Sequence, residues 1–198
     1  MRSKKFLLLL TFILINVSSV NYSYSIEPDV FVQSTVNRAS EALGGKLSKE
    51  EKIERLKEIA SETVDVKGIG YYTLGNYRKN ISADQIIKYE TLFEQYFLKS
   101  FSSRLAEYSN PEIEVISKKQ LNENYTMVSS VLVSTDKRPE VKIDWRIYTK
   151  NSKNLLIRDL IIEGLSLART QKEEFSSIIQ SNDGDINALF VVLNDFIK

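Results

Sequence analysis

Neither cysteine nor histidine occurs anywhere in the 198 residues. Without imidazole there is no triad built on a histidine base and no His-ligated zinc site. Without a thiol there is no disulfide, no thiolate nucleophile and no cysteine metal cluster. An excess of one charge is missing as well, since 27 Lys and Arg face 26 Asp and Glu. A protein that grips a phosphate backbone carries a basic excess to displace its counterions, so no nucleic acid is expected as a partner. What is present is 42% hydrophobic content in a length that suits one globular domain and is too short for two of full size.

Arg2, Lys4 and Lys5 precede an apolar run from Phe6 to Ile15. Basic residues ahead of a short apolar stretch read as a secretory signal. Roughly ten apolar residues fall well short of the ~20 that a membrane-spanning helix needs. Ser23 and Ser25 are small residues at the spacing a signal peptidase reads, which predicts a signal peptide of residues 1–25 cleaved between Ser25 and Ile26. An uncleaved anchor is the alternative. No cysteine follows the run, which excludes lipoprotein processing. The expected product is an exported single domain of residues 26–198 whose stability rests on its core alone.

Past the signal, apolar residues recur with helical spacing. Asp29 is expected to cap a first helix carrying Val32, Val36, Ala39 and Leu43, stopped by Gly44 and Gly45. Ser48 and Glu51 form a capping box for a second, with Leu56, Ile59, Ala60 and Val64 inside. Asp65 opens a shorter one through Ile69, Tyr72 and Leu74. Ser82 and Gln85 make another box at the head of the longest segment, where Ile86, Tyr89, Phe93, Phe97, Phe101, Leu105 and Tyr108 recur every three or four residues until Asn110 and Pro111. Such an aromatic stripe either fills a core or lines a space, and periodicity does not separate the two.

After Pro111 alternation replaces the helical period. Strands are expected at 112–118, 126–134, 141–148 and 155–162, with turns at 122–124, 136–139 and 151–154. In the third strand Val141, Ile143, Trp145 and Ile147 share one face. Helices from Ser166 through Phe175 and Ile179, and from about Asp185 through Leu189, Leu193 and Ile197, close the chain. The expected fold class is α+β, a four-stranded antiparallel sheet packed on one face by helices.

Most short motifs fail on context. Gly68-Ile69-Gly70 begins a dinucleotide fingerprint, but Thr73 stands in place of the third glycine and no strand precedes it. Ser134 and Lys137 have the spacing of an acyl-transferase nucleophile but fall in a hairpin. Asp159 and Glu163 read as a structural corner rather than an acid–base pair, with Gly164 for the tight turn and Ser166 as a helix cap. No catalytic residue, metal or cofactor is expected.

One pattern spans most of the chain beyond the signal. Leu74-Gly75-x-Tyr77, Ser82-x-x-Gln85, then Phe93, Tyr96, Phe101, Leu105 and Tyr108, form its first block. The corner Asp159 to Leu167 and the helical positions Phe175, Ile178, Ile179, Gly184, Leu189 and Leu193 complete it. In this order they resemble the MlaC family, the periplasmic phospholipid carriers also called toluene-tolerance auxiliary proteins. Arg78 and Leu155 stand where that family usually has tryptophan.

The resemblance implies a cone-shaped periplasmic domain whose internal apolar cavity, between sheet and helices, holds the acyl chains of a glycerophospholipid. It implies as partners an inner-membrane ABC transporter complex and an outer-membrane lipoprotein–porin complex. The cavity wall is expected from Phe93, Phe97 and Phe101 opposite Val131, Val133, Trp145 and Ile147, with Leu74 and Tyr77 at the mouth. Two other readings stand beside this one. The first is an enzyme on a similar fold with Asp144 or Asp159 as a pocket base, and the second is an adaptor with a filled core.

Overall fold

The computed structural model describes residues 25–108, 111–136 and 138–198. Residues 1–24 of the expected signal, Asn110 at the expected end of the long helix and Lys137 in an expected turn lie outside the described residues. Four helices come first, α1 (Pro28–Gly44), α2 (Lys49–Thr63), α3 (Val66–Leu74) and α4 (Ala83–Leu105), with a 3-10 turn at Tyr77–Lys79 ahead of the last. Strands β1 (Ile113–Asn122), β2 (Tyr125–Leu132), β3 (Val141–Tyr148), β4 (Leu156–Ile162) and β5 (Leu165–Ser166) follow, then α5 (Leu167–Gln180) and α6 (Ile186–Ile197).

Local chemistry sets most helix starts. Both expected capping boxes form: Glu51 and Gln85 reach back to the amides of Ser48 and Ser82 at 2.8 and 2.9 Å, while each serine hydroxyl accepts the amide three residues on. Asp65, Ser166 and Asp185 cap α3, α5 and α6. α1 departs from expectation. Pro28 takes the first turn and Glu27 the cap position without a side-chain bond, because proline's fixed φ starts the helix before Asp29. Asp29 and Glu27 both pair instead with Lys118 of β1, at 2.8 and 2.6 Å.

The strands form one antiparallel sheet in the order β1-β2-β3-β4-β5, five strands rather than the four expected. β5 pairs Leu165 with Ile162 across a hairpin whose two loop residues, Glu163 and Gly164, have φ of 49° and 83°. Two-residue loops with positive φ at both positions match the twist of the strands they join. A strand of two residues has no alternation to detect in a sequence. β1 also runs past Lys118 to Asn122 and α4 stops at Leu105, short of Tyr108.

Register decides which side chains face the helices. Val128 pairs with Trp145, Trp145 with Leu160, and Thr126 with Ile147, so these lie on the inner face. Val131 pairs with exposed Lys142 and belongs to the outer face, with Val133 on the same parity. The free edges are partly covered. Gln33 of α1 acts as a short strand mimic against β1, accepting from the Val115 amide at 3.2 Å and donating to the Ile113 carbonyl at 3.3 Å. Val64 bridges Ile157 beside β4.

Between α4, α3 and α5 the interior is filled. Phe93 stacks on Tyr89 at 5.6 Å, and Phe175 meets both rings edge-on at 6.2 and 6.5 Å. The buried Tyr89 hydroxyl lies 2.7 Å from Thr73 Oγ1, which donates to the Gly70 carbonyl. Leu74 is fully buried here as well. The two glycines of the failed dinucleotide motif have a packing reason. A Cβ on Gly70 would stand 2.8 Å from Phe93 Cδ1, and one on Gly68 would strike the Asp65 carboxylate that caps α3.

Gly70→Ala therefore reverses the usual sign for a helix interior. A gain of about 1 kcal/mol from helix propensity is outweighed by overpacking of about 1–3 kcal/mol. Urea denaturation is expected to show lower stability, and a variant as stable as the parent would contradict this packing account.

Three carboxyls sit below their ordinary range. Asp29 is held down by the hydrogen bond from Lys118, Glu51 by the Ser48 amide and Glu90 by the Tyr71 hydroxyl. A depressed folded-state pKa contributes stability above the unfolded value that is lost as pH falls through the folded one. With no histidine, no side chain has an ordinary pKa between about 5 and 8. The melting temperature is expected to stay level across about pH 6–8 and to fall below about pH 4.5; a slope within the neutral range would contradict this.

Candidate functional site

Where the aromatic filling ends, a pocket of about 330 Å³ opens between the inner face of the sheet and helices α1, α2, α4 and α5. Its volume lies within the range of ligand-binding clefts. Val36, Ala39 and Leu43 of α1 and Leu56, Ile59 and Ala60 of α2 form one wall. Phe97, Phe101 and Leu105 of α4 form a second, and Leu132, Ile143, Trp145, Ile157 and Leu160 form the sheet floor. Phe97 and Phe101 stack at 5.7 Å with only 7° between their planes, and both are half-buried. A larger groove of about 430 Å³ lies on the surface beside Tyr72 and Lys172. It is shallow and bordered by charged residues, so the apolar pocket between sheet and helices is the better candidate.

The lining contains more hydroxyls than its chemistry suggests. Thr35, Ser40, Thr63 and Thr170 donate to the carbonyls of Phe31, Pro111, Ile59 and Ser166 at 2.9, 2.8, 2.7 and 3.0 Å. Trp145 Nε1 donates to Ser130 Oγ at 2.8 Å, and Ser130 in turn donates to the Ile143 carbonyl. With their polar atoms tied to the backbone, these side chains offer the pocket mainly carbon. A polar group left unpaired here would cost about 1–3 kcal/mol.

Charge enters at two places. Asp159 is buried at the β4 corner, where Oδ2 accepts from Ser166 Oγ at 2.7 Å and Oδ1 from the Ala168 amide at 3.0 Å, with Arg146 at 3.5 Å. Glu163 accepts from the Lys142 amide at 2.5 Å and returns its own amide to the Lys142 carbonyl. The corner Asp159, Glu163, Gly164 and Ser166 is thus a backbone clamp that joins β4 to α5. Asp144 accepts from Ser129 on the outer face and does not line the pocket. The mouth carries Tyr96, Ser100 and Arg104 from α4 and Gln171 and Glu174 from α5. Among the described residues, no group of three or more acidic side chains is placed to hold a metal ion.

Of the residues expected to form a cavity wall, the structure brings Phe93, Phe97, Phe101 and Trp145 together around this pocket. Ile147 and Leu74 are buried in the filled core, and Tyr77 packs half-buried against that core. Val131 and Val133 are turned away by strand parity. Sequence reasoning missed the wall from α1 and α2, although Val36, Ala39 and Leu43 have the spacing that would have revealed it. It also missed the charged mouth.

A solved structure of the phospholipid-binding protein from Ralstonia solanacearum, in complex with a phospholipid, has a similar fold. The TM-score is 0.73 at 16% identity, over 87% of this chain and 97% of that one. The family model for MlaC protein matches residues 32–195, which include the whole sheet, the pocket and all of the helices except the first turn of α1 and the last residues of α6. The chain belongs to the MlaC family.

Proposed function

We propose that this protein is a periplasmic phospholipid carrier rather than an enzyme, moving glycerophospholipid between the outer and inner membranes. In this reading residues 1–25 are a signal peptide removed after Ser25, and residues 26–198 are one lipid-binding domain. An inner-membrane ABC transporter complex and an outer-membrane lipoprotein–porin complex are its partners. The pocket is the internal cavity of a cone-shaped fold, with acyl chains against Phe93, Phe97, Phe101 and Trp145. The observation that carries the proposal is an apolar pocket between sheet and helices in which the hydroxyls of Thr35, Ser40, Thr63 and Thr170 are tied to backbone carbonyls. Family membership and the phospholipid held by the Ralstonia protein support it.

The energetics explain why a carrier of this kind needs no chemistry of its own. A diacyl lipid that enters water exposes about 28 methylenes at about 0.8 kcal/mol each, about 22 kcal/mol, near the ceiling of non-covalent affinity. In a dry pocket the chains pass from one apolar phase to another, and exchange with a bilayer approaches neutrality. Direction then comes from the partners. The pocket carboxylate Asp159 has both oxygens engaged, so the alternative of a carboxylate base draws no support from it.

Purified protein is expected to carry intact glycerophospholipid, read by mass spectrometry of an organic extract. Ala39→Trp fills the lumen and is expected to abolish the co-purified lipid with little loss of folding. Val133→Trp, on the outer parity, is expected to retain it. Free fatty acid or lysolipid released by pure protein, or full lipid on Ala39→Trp, would contradict the carrier reading. The exported protein is expected to begin at Ile26, and N-terminal sequencing that finds Met1 would overturn the cleavage assignment.

A further inference from the structure

The mouth of the pocket has opposite charges on its two sides. Tyr96, Ser100 and Arg104 follow one another at four-residue intervals along α4 and all border the pocket. Arg104 lies two turns from Tyr96, about 12 Å along the axis, and its side chain leans back toward the helix N-terminus. On α5, Gln171 and Glu174 border the same pocket. The Tyr96 hydroxyl donates to Gln171 Oε1 at 3.0 Å, and Gln171 Nε2 donates to Glu174 Oε2 at 2.9 Å. That chain of bonds fixes the carboxylate at the opening while its second oxygen stays open to a donor.

Among the described residues Arg104 has no ion pair and no side-chain hydrogen bond. Two other cations are engaged elsewhere: Lys99 caps α6 through the Phe196 and Ile197 carbonyls, both at 2.9 Å, and Arg146 faces Asp159. Arg104 and Glu174 do not pair with each other either. Both fields meet at one phenol. Burial raises Tyr96 above its ordinary value and Glu174 adds to that, while the Gln171 bond and Arg104 oppose it.

We propose, on the carrier reading above, that this mouth selects a zwitterionic headgroup with a primary ammonium, Arg104 taking the phosphate and Glu174 the ammonium. A guanidinium matches phosphate oxygens with several donors at once. A carboxylate accepts N–H donors that an ammonium supplies and a glycerol headgroup does not replace with charge. A net anionic headgroup without a cation leaves Glu174 facing negative charge, which discriminates by repulsion as much as by attraction.

The test uses the mature chain, stripped of lipid and incubated with vesicles of equimolar phosphatidylethanolamine and phosphatidylglycerol. Bound lipid is then extracted and counted by class. Wild type is expected to enrich the ethanolamine lipid by about three-fold or more, and Glu174→Lys to invert the preference. Arg104→Gln is expected to lower uptake of both classes at limiting vesicle concentration. All these positions are exposed, and circular dichroism confirms that each variant folds. Lipid bound in the vesicle ratio by wild type, or a ratio unmoved by Glu174→Lys, overturns the headgroup assignment and leaves the carrier intact. No lipid of either class on wild type overturns the carrier reading itself.

Discussion

The architecture depends on where aromatic packing stops. Tyr89, Phe93 and Phe175 interlock against α4, with Thr73 satisfying the buried Tyr89 phenol. Two turns further along the same helix, Phe97 and Phe101 stack on each other, remain half-buried and line the pocket. One continuous stripe thus forms a filled core at one end and a pocket wall at the other.

The open end has to remain apolar, and that constraint falls on the polar residues. Hydroxyls at Thr35, Ser40, Thr63 and Thr170 are absorbed by carbonyls of their own helices or of the neighbouring loop. The buried carboxylate Asp159 is engaged by the turn that links β4 to α5, with both of its oxygens hydrogen-bonded. The charged side chains Arg104 and Glu174 stand at the border of the pocket.

Much of this was legible from local chemistry. The capping boxes at Ser48 and Ser82, the caps at Asp65 and Ser166 and the corner at Gly164 depend on neighbours a few residues away, and the structure contains each of them. The parity of β2 was not legible, because apolar side chains occupy both of its faces and Ser130 stands on the inner one, where Trp145 supplies its partner. Val131 and Val133 looked like wall residues for that reason. Arg104 and Glu174 each read as an ordinary helix charge, and only the folded chain brings both to the border of one pocket. The α1–α2 wall has proper spacing in the sequence, but an amphipathic face does not reveal whether it meets side chains or a space.

The sole tryptophan of the chain, Trp145, lies on the floor of the pocket and reports on its contents without any label on the protein. Acyl chains seated in this space come within contact of the indole, whereas a headgroup at the mouth does not. Phospholipid brominated on its acyl chains is expected to quench Trp145 fluorescence strongly on binding, with the same lipid unbrominated leaving the intensity intact. Bound brominated lipid, verified by extraction, with no quenching would place the chains elsewhere and contradict the account.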